Sequence, residues 1–377
     1  MKRIREAVTE IRSAARKDPV LGAEGAVLLL EKISPAIEQV DGSSGSIGTA
    51  VDRAIESLVP IIAGAPAAED TRDEWLDRLW MAFLADNMPY LGWLGEFWGE
   101  LCVTPERATH WADNLLPGLR ANWARSGIRY YQGTDACLSS LVAAGRFEEV
   151  LDVLELDPHQ GYTYYGVQAL AGLDRVDDAL EYAQRKRGPF GASTSRRSVV
   201  ELCETILLEA GRNEEAYELL ALAASFRSTR LATYRAILAK YPDRDPAEVL
   251  TDLVARTPGK EGSWFATARR HGHLELALDL ARRSACDPRT LSRAARDHLL
   301  SEPEFAMECG VLSLHWVAEG EGYKIELGEV QVVRDIVLQA AEALGRSEGV
   351  LARFREIAQR DVSERKLMRA ALAPLFR

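Results

Sequence analysis

Apolar residues along this chain recur at spacings of three and four, the period of an amphipathic helix. One stretch sets the pattern: Leu141 to Leu154, LVAAGRFEEVLDVL. It reads as the end of one helix, a tight glycine turn and the start of a second. From Gly145 a basic residue follows at once (Arg146), an acid stands three places on (Glu148), and apolar residues fall at Val150, Leu151, Val153 and Leu154. The same template fits from Asp174 (Arg175, Asp177, Ala179, Leu180, Tyr182, Ala183) and from Gly211 (Arg212, Glu214, Ala216, Tyr217, Leu219, Leu220). It fits again from Gly272 (His273, Glu275, Ala277, Leu278, Leu280, Ala281), and a degraded fifth copy starts at Gly345, where Arg353 breaks the apolar stripe. Gly, or Asp in one copy, tolerates the left-handed backbone that ends a helix. The acid in the following first turn opposes the positive end of the helix dipole.

Before the repeats, residues 1–62 predict three helices: Ile4 to Ala15, Leu21 to Val40 with Pro35 as a kink or break, and Thr49 to Ile62 after the loop DGSSGSIG. AGAPAAED, residues 63–70, reads as a Pro/Ala linker. A helical region over 71–127 follows, holding six of the eight tryptophans: Trp75, Trp80, Trp93, Trp98, Trp111 and Trp123. Their helical spacing favours packed core over a ligand pocket. Thr104 before Pro105 and Glu106 predicts a helix start, cap then proline. The repeats occupy 128–377, with weaker units at DPAEVL from Asp245 and SEPEFAM from Ser301. YKIEL, Tyr323 to Leu327, is the one short strand-like run and reads as an extended connector.

With Gly145, Asp174, Gly211, Arg244, Gly272, Ser301 and Gly345 as turn markers, the spacings are 29, 37, 33, 28, 29 and 44 residues. The helix–turn–helix units resemble tetratricopeptide-type repeats without their strict 34-residue period or full Trp/Leu/Gly/Tyr signature. That resemblance implies an all-α fold: a TPR-like α-solenoid, a superhelix of helical hairpins behind an N-terminal helical region. From Ser263 to Arg346, the runs WFATARRHGHLELALDLA, CDPRTLSRAARDH and LHWVAEGEGYKIELGEV resemble a bacterial family carrying a domain of unknown function. Some relatives of that family are associated with SWIM-type zinc fingers. No Cys/His set in this chain matches such a motif, so no zinc role carries over.

Composition narrows the function classes. A net charge of −11 argues against a general nucleic-acid coat or an anionic membrane surface while leaving room for a local basic patch. The five cysteines, Cys102, Cys137, Cys203, Cys286 and Cys309, are odd in number and show no CxxC spacing, as expected of buried, reduced thiols. The amphipathic start MKRIREAVTEIR is unlike a signal peptide, and no apolar run approaches a membrane span, so the expected location is the cytoplasm.

Candidate chemistry is sparse. The loop GSSGSIG lacks the Gly-Lys-Ser/Thr ending of a phosphate loop. His271, His273, Cys286 and His298 have no zinc spacing, and no cofactor or metal is expected. No nucleophile or metalloenzyme signature is present, which leaves an unrecognised hydrolase as the weakest reading. Two basic clusters stand out: Arg185, Lys186, Arg187, Arg196 and Arg197, and the helical series Arg289, Arg293 and Arg296 after Arg269, Arg270, Arg282 and Arg283. Guanidinium forks suit carboxylate and phosphate, although a solvated face paired with nearby acids explains them too. The repeat tyrosines, Tyr130, Tyr131, Tyr162, Tyr164 and Tyr165, fall on first helices, which line the concave side of TPR-like stacks. The expected function is a non-enzymatic interaction or scaffold module that binds a peptide or protein partner. Its expected contacts are Tyr130, Tyr131, Tyr164, Tyr165, Arg196, Arg197, Arg289, Arg293 and Arg296. A nucleic-acid-associated or regulatory protein using the arginine faces is the alternative.

Overall fold

A helix that ends on a left-handed residue leaves its last carbonyls to be capped by the amides just beyond. In the computed structural model all five template positions do this, with φ of +71° at Gly145, +57° at Asp174, +72° at Gly211, +82° at Gly272 and +66° at Gly345. The same pair of bonds closes each turn. At the first, Gly145 N donates to Val142 O (3.0 Å) and Arg146 N to Leu141 O (3.0 Å), the double closure of a Schellman motif. Asp174/Arg175, Gly211/Arg212, Gly272/His273 and Gly345/Arg346 repeat it. A sixth copy, Gly320 N to Val317 O and Glu321 N to Trp316 O, ends a helix that the template does not mark.

The structure describes residues 2–37, 46–124, 131–157, 161–185, 198–361 and 366–376. Among them the secondary structure is helical without strands, and the chain divides into two compact units, Met1–Leu220 and Ala221–Arg377. The first unit contains α1 (Lys2–Ala15), α2 (Pro19–Ile37), α3 (Ser46–Gly64), α4 (Glu69–Leu84), α5 (Trp98–Cys102) and α6 (Pro105–Trp123). It continues with α7 (Thr134–Ala143), α8 (Phe147–Leu154), α9 (Thr163–Gly172), α10 (Val176–Arg185), α11 (Val199–Glu209) and α12 (Asn213–Leu219). The second has α13 (Ala221–Ala224), α14 (Arg230–Lys240), α15 (Pro246–Ala255), α16 (Phe265–Arg270), α17 (Leu274–Arg283) and α18 (Pro288–His298). After these come α19 (Pro303–Ala318), α20 (Leu327–Ala343), α21 (Ser347–Arg360) and α22 (Leu367–Leu372). No described helix is long and apolar enough to cross a membrane.

In the first unit, the stretches 1–62 and 71–127 share one core. The segment 63–70 joins them as a short connection, with Ala65 buried and Arg72 of α4 donating to the carbonyls of Ile62 and Ala65 at the end of α3. The tryptophans pack as core. Trp80, Trp98 and Trp111, from α4, α5 and α6, meet edge to face at centroid distances of 5.0–5.4 Å, and Trp75 and Trp98 are fully buried. Thr104 caps α6 through the amide of Arg107, with Pro105 in the first turn.

The run before α5 comes so close to α7 that side chains are absent on one side. Gly99 of α5 lies against Ser139 and Ala143, and Gly95 lies against Asp135 and Ala136. Ser139 ties the contact: its Oγ accepts from Gly99 N (2.9 Å) and donates to Glu96 O (3.1 Å). Beyond α7 in the first unit, α9 packs on α7, α8, α10 and α11.

The basic residue of the template has a tertiary role that spacing alone does not explain. Arg146 forks onto Glu149 one turn ahead (2.7 and 2.9 Å) and reaches Asp113 of α6 at 2.5 Å. Arg212 repeats this with Glu215 (2.8 Å) and with Asp177 of α10 (2.6 Å). In the second unit, Arg346 reaches Glu304 of α19 at 2.5 Å. Each links one hairpin to an earlier one, through ion pairs that solvent screening keeps weak.

The second unit uses the same rules. Asp245 and Asp287 cap α15 and α18 ahead of Pro246 and Pro288, the former through Ala247 N (2.7 Å) and the latter through Thr290 N (2.9 Å). The faces of α19 to α22 form a core centred on Leu314, Val337, Phe354 and Met368. Residues 321–326, including the YKIEL run, are turn and coil that lead into α20.

All five cysteines are buried. Burial pushes the thiols of Cys102, Cys137 and Cys286 up to about 12, and that of Cys309 upward as well. Because the thiolate is the reactive form, native protein at pH 8 is expected to leave a thiol reagent such as DTNB almost unreacted, with five equivalents released in denaturant. Rapid reaction of several thiols without unfolding would contradict this packing.

Candidate functional site

Helix α18 begins at the Asp287 cap and carries Arg289, Arg293 and Arg296 at positions i, i+4 and i+7, which the helical period puts on one side. That side faces an open groove of about 450 Å³. One wall is Arg289, Ser292, Arg293 and Arg296 of α18; the other is Glu329, Val332, Val333 and Ile336 of α20. Val333 is buried at the base, whereas Val332 is 58% exposed.

The three guanidiniums are not equivalent. Arg289 forks onto Glu329, with Nε to Oε1 at 2.7 Å and Nη2 to Oε2 at 3.0 Å. It also donates to the carbonyls of Tyr323 and Lys324, each at 3.1 Å. Glu329 in turn accepts from Glu326 N (3.0 Å), closing the capping box that starts α20. The Arg289 fork holds the Glu329 carboxyl below the usual carboxylate range. Arg289 is therefore a latch that fixes one end of the groove.

Arg293 donates from Nε to Arg289 O (3.0 Å) and faces no carboxylate within ion-pair distance among the described residues. Arg296 stands 3.7 Å from Asp297, whose other oxygen accepts from Arg269 (3.3 Å). Its partner is thus shared. The groove keeps two cations whose charge is weakly compensated.

Two of the earlier arginines on this unit are held by acids. Arg282 pairs with Glu308 at 2.8 Å, alongside Arg353, and Arg283 pairs with Asp279. The other basic cluster is described only at Arg185, which pairs loosely with Glu181 (4.0 Å) and lies over the Tyr182 ring. Arg196 and Arg197 lie outside the described residues, as do Lys186 and Arg187.

The tyrosines need correcting. Tyr130 lies outside the described residues, Tyr164 and Tyr165 are buried in the core of the first unit rather than exposed in a groove, and Tyr131 is partly buried against that core. Tyr131 rests on Gly118 and Gly133, its hydroxyl donating to Leu115 O (3.4 Å). Tyr164 is 9% exposed and Tyr165 is 2% exposed. The Tyr165 hydroxyl donates to Asp135 Oδ1 at 3.2 Å. Gly166, next to this pair, lets the Tyr182 ring of α10 approach the α9 backbone closely.

Spacing alone misses the apolar wall of the groove. Another unmarked feature is an acidic groove of about 570 Å³ in the first unit, between Glu69, Asp73 and Asp77 of α4 and Glu106, Arg107 and His110 of α6. Those α4 acids recur every four residues, a spacing visible in the chain itself. His271 meets the Tyr234 ring and His298 the Phe305 ring, both at 4.9 Å. No family model, curated protein or solved structure matches this chain.

Proposed function

We propose that this chain is a non-enzymatic interaction module of the cytoplasm, a TPR-like stack of helical hairpins that binds an acidic segment of a protein partner in the α18–α20 groove. The observation that carries the reading is the groove itself, where Arg293 and Arg296 keep weakly compensated charge beside an exposed apolar wall. On a protein of net charge −11, such a basic site selects a local acidic feature rather than a long polyanion, whose charge the rest of the surface repels. The repeated Schellman turns and the packing of α9 on both α7 and α11 support the stacked-hairpin reading.

The test is fluorescence anisotropy with a labelled glutamate-rich peptide and a single-stranded oligonucleotide. The peptide is expected to bind, and the pair Arg293→Glu with Arg296→Glu to weaken it at least tenfold while far-UV dichroism stays unchanged. Tight oligonucleotide binding that falls steeply with salt would instead favour a nucleic-acid role. A peptide indifferent to both substitutions would end the proposal.

A further inference from the structure

The two walls of the groove ask for different chemistry from one ligand. Arg293 and Arg296 stand one turn apart on α18, and Val332 and Ile336 stand one turn apart on α20. A bare carboxylate or phosphate satisfies the first wall and leaves the second wet. An apolar peptide covers the second and meets two charged guanidiniums. A segment carrying both features in register satisfies both, and an α-helix presents such a pair of stripes with the same spacing of three or four residues.

We propose, resting on the reading of the groove as a partner site, that its occupant is an amphipathic helix of a partner protein. Acids at i and i+3 or i+4 face Arg293 and Arg296, and an adjoining apolar stripe covers Val332 and Ile336. The charge is complementary, and the mode is that of a helix laid into a groove between two others. About 450 Å³ takes one row of side chains and not a whole helix, which is 10–12 Å wide. The ligand backbone therefore stays outside while its side chains enter. The Arg289–Glu329 latch, with its bonds to Tyr323 O and Lys324 O, holds one end of the groove in place before binding, so little ordering is required on the protein side. The lining offers no aromatic ring on which a base could stack, which separates this groove from single-stranded nucleic-acid sites.

The experiment uses the full chain and three labelled probes. One is a designed helix with glutamates on one stripe and leucines beside it; the second is the same peptide with the leucines changed to serine; the third is an oligonucleotide. The designed helix is expected to bind at least tenfold tighter than its serine counterpart. Val332→Asp, at an exposed position that folding does not depend on, is expected to remove that advantage, and Arg293→Glu with Arg296→Glu to weaken both peptides. If the two peptides bind equally and Val332→Asp changes neither, the helix is overturned while the acidic-segment reading survives. If no peptide responds to the arginine substitutions, that reading fails as well. Tighter binding of the oligonucleotide than of either peptide, or self-association abolished by the arginine substitutions in sedimentation, would replace the partner helix with another occupant.

Discussion

Gly99→Ala is expected to destabilise the first unit by about 3 kcal/mol or more, a large part of the stability of a typical domain. Helix propensity predicts the opposite sign, since alanine inside a helix is favoured over glycine by about 1 kcal/mol. Packing decides the outcome. A Cβ on Gly99 lands on the carbonyl oxygen of Ser139 and 2.8 Å from Ala143 Cβ, and neither can give way: one is backbone and the other a methyl on the same buried helix. Moving α7 aside would also break the Ser139 bonds to Gly99 N and Glu96 O. Gly145→Ala is the control. Nothing lies within 4 Å of a Cβ there, so only its φ of +71° opposes substitution, at a cost of about 1 kcal/mol. Asp174 already holds the equivalent position at φ +57°, and Gly145→Asn is expected to be milder still. Urea unfolding followed by tryptophan emission reads all three, because Trp98, next to Gly99, packs on Trp80 and Trp111 in the core of this unit. A Gly99→Ala protein as stable as its parent would contradict the close approach.

Asp135→Asn is expected to stabilise the protein above pH 7 by about 2 kcal/mol and to flatten its stability between pH 4 and 7. Burial lifts the Asp135 carboxyl to about 7, Glu96 nearby adds to the effect, and the Tyr165 hydroxyl bond opposes it. The folded chain therefore keeps a proton that the unfolded chain has released, so stability falls as pH rises through this window. At about 1.4 kcal/mol per pH unit the ceiling is near 4 kcal/mol. Part of the side chain reaches solvent and it sits in the first turn of α7, where the helix dipole favours its anion; both reduce the figure. Asparagine keeps an acceptor for Tyr165 and cannot ionise. Denaturation midpoints measured from pH 4 to 8 give the comparison, and parallel curves for the two proteins would show that Asp135 is ionised throughout.

Much of the helical order was legible because its signals act over a few residues. The proline-capped starts at Thr104, Asp245 and Asp287 and the glycine turns announce themselves within one turn of chain. The arginine series of α18 was legible as a face for the same reason. What those arginines meet was not, since Glu329 lies 40 residues beyond Arg289. The tyrosines show the same boundary. The place of Tyr164 and Tyr165 on a first helix follows from the pattern, but their burial depends on helices distant in sequence that pack around α9.

By itself, the sequence determined an all-helical chain, its repeated turns and the side of α18 on which three arginines stand, because backbone dihedrals, caps and helical periodicity are local properties. Only the tertiary structure decided that Tyr164 and Tyr165 belong to the core, that Arg289 is latched while Arg293 is not, and that Val332 and Ile336 face the arginines. Accessibility and charge compensation are set by elements that meet through space, and no local pattern encodes which ones do.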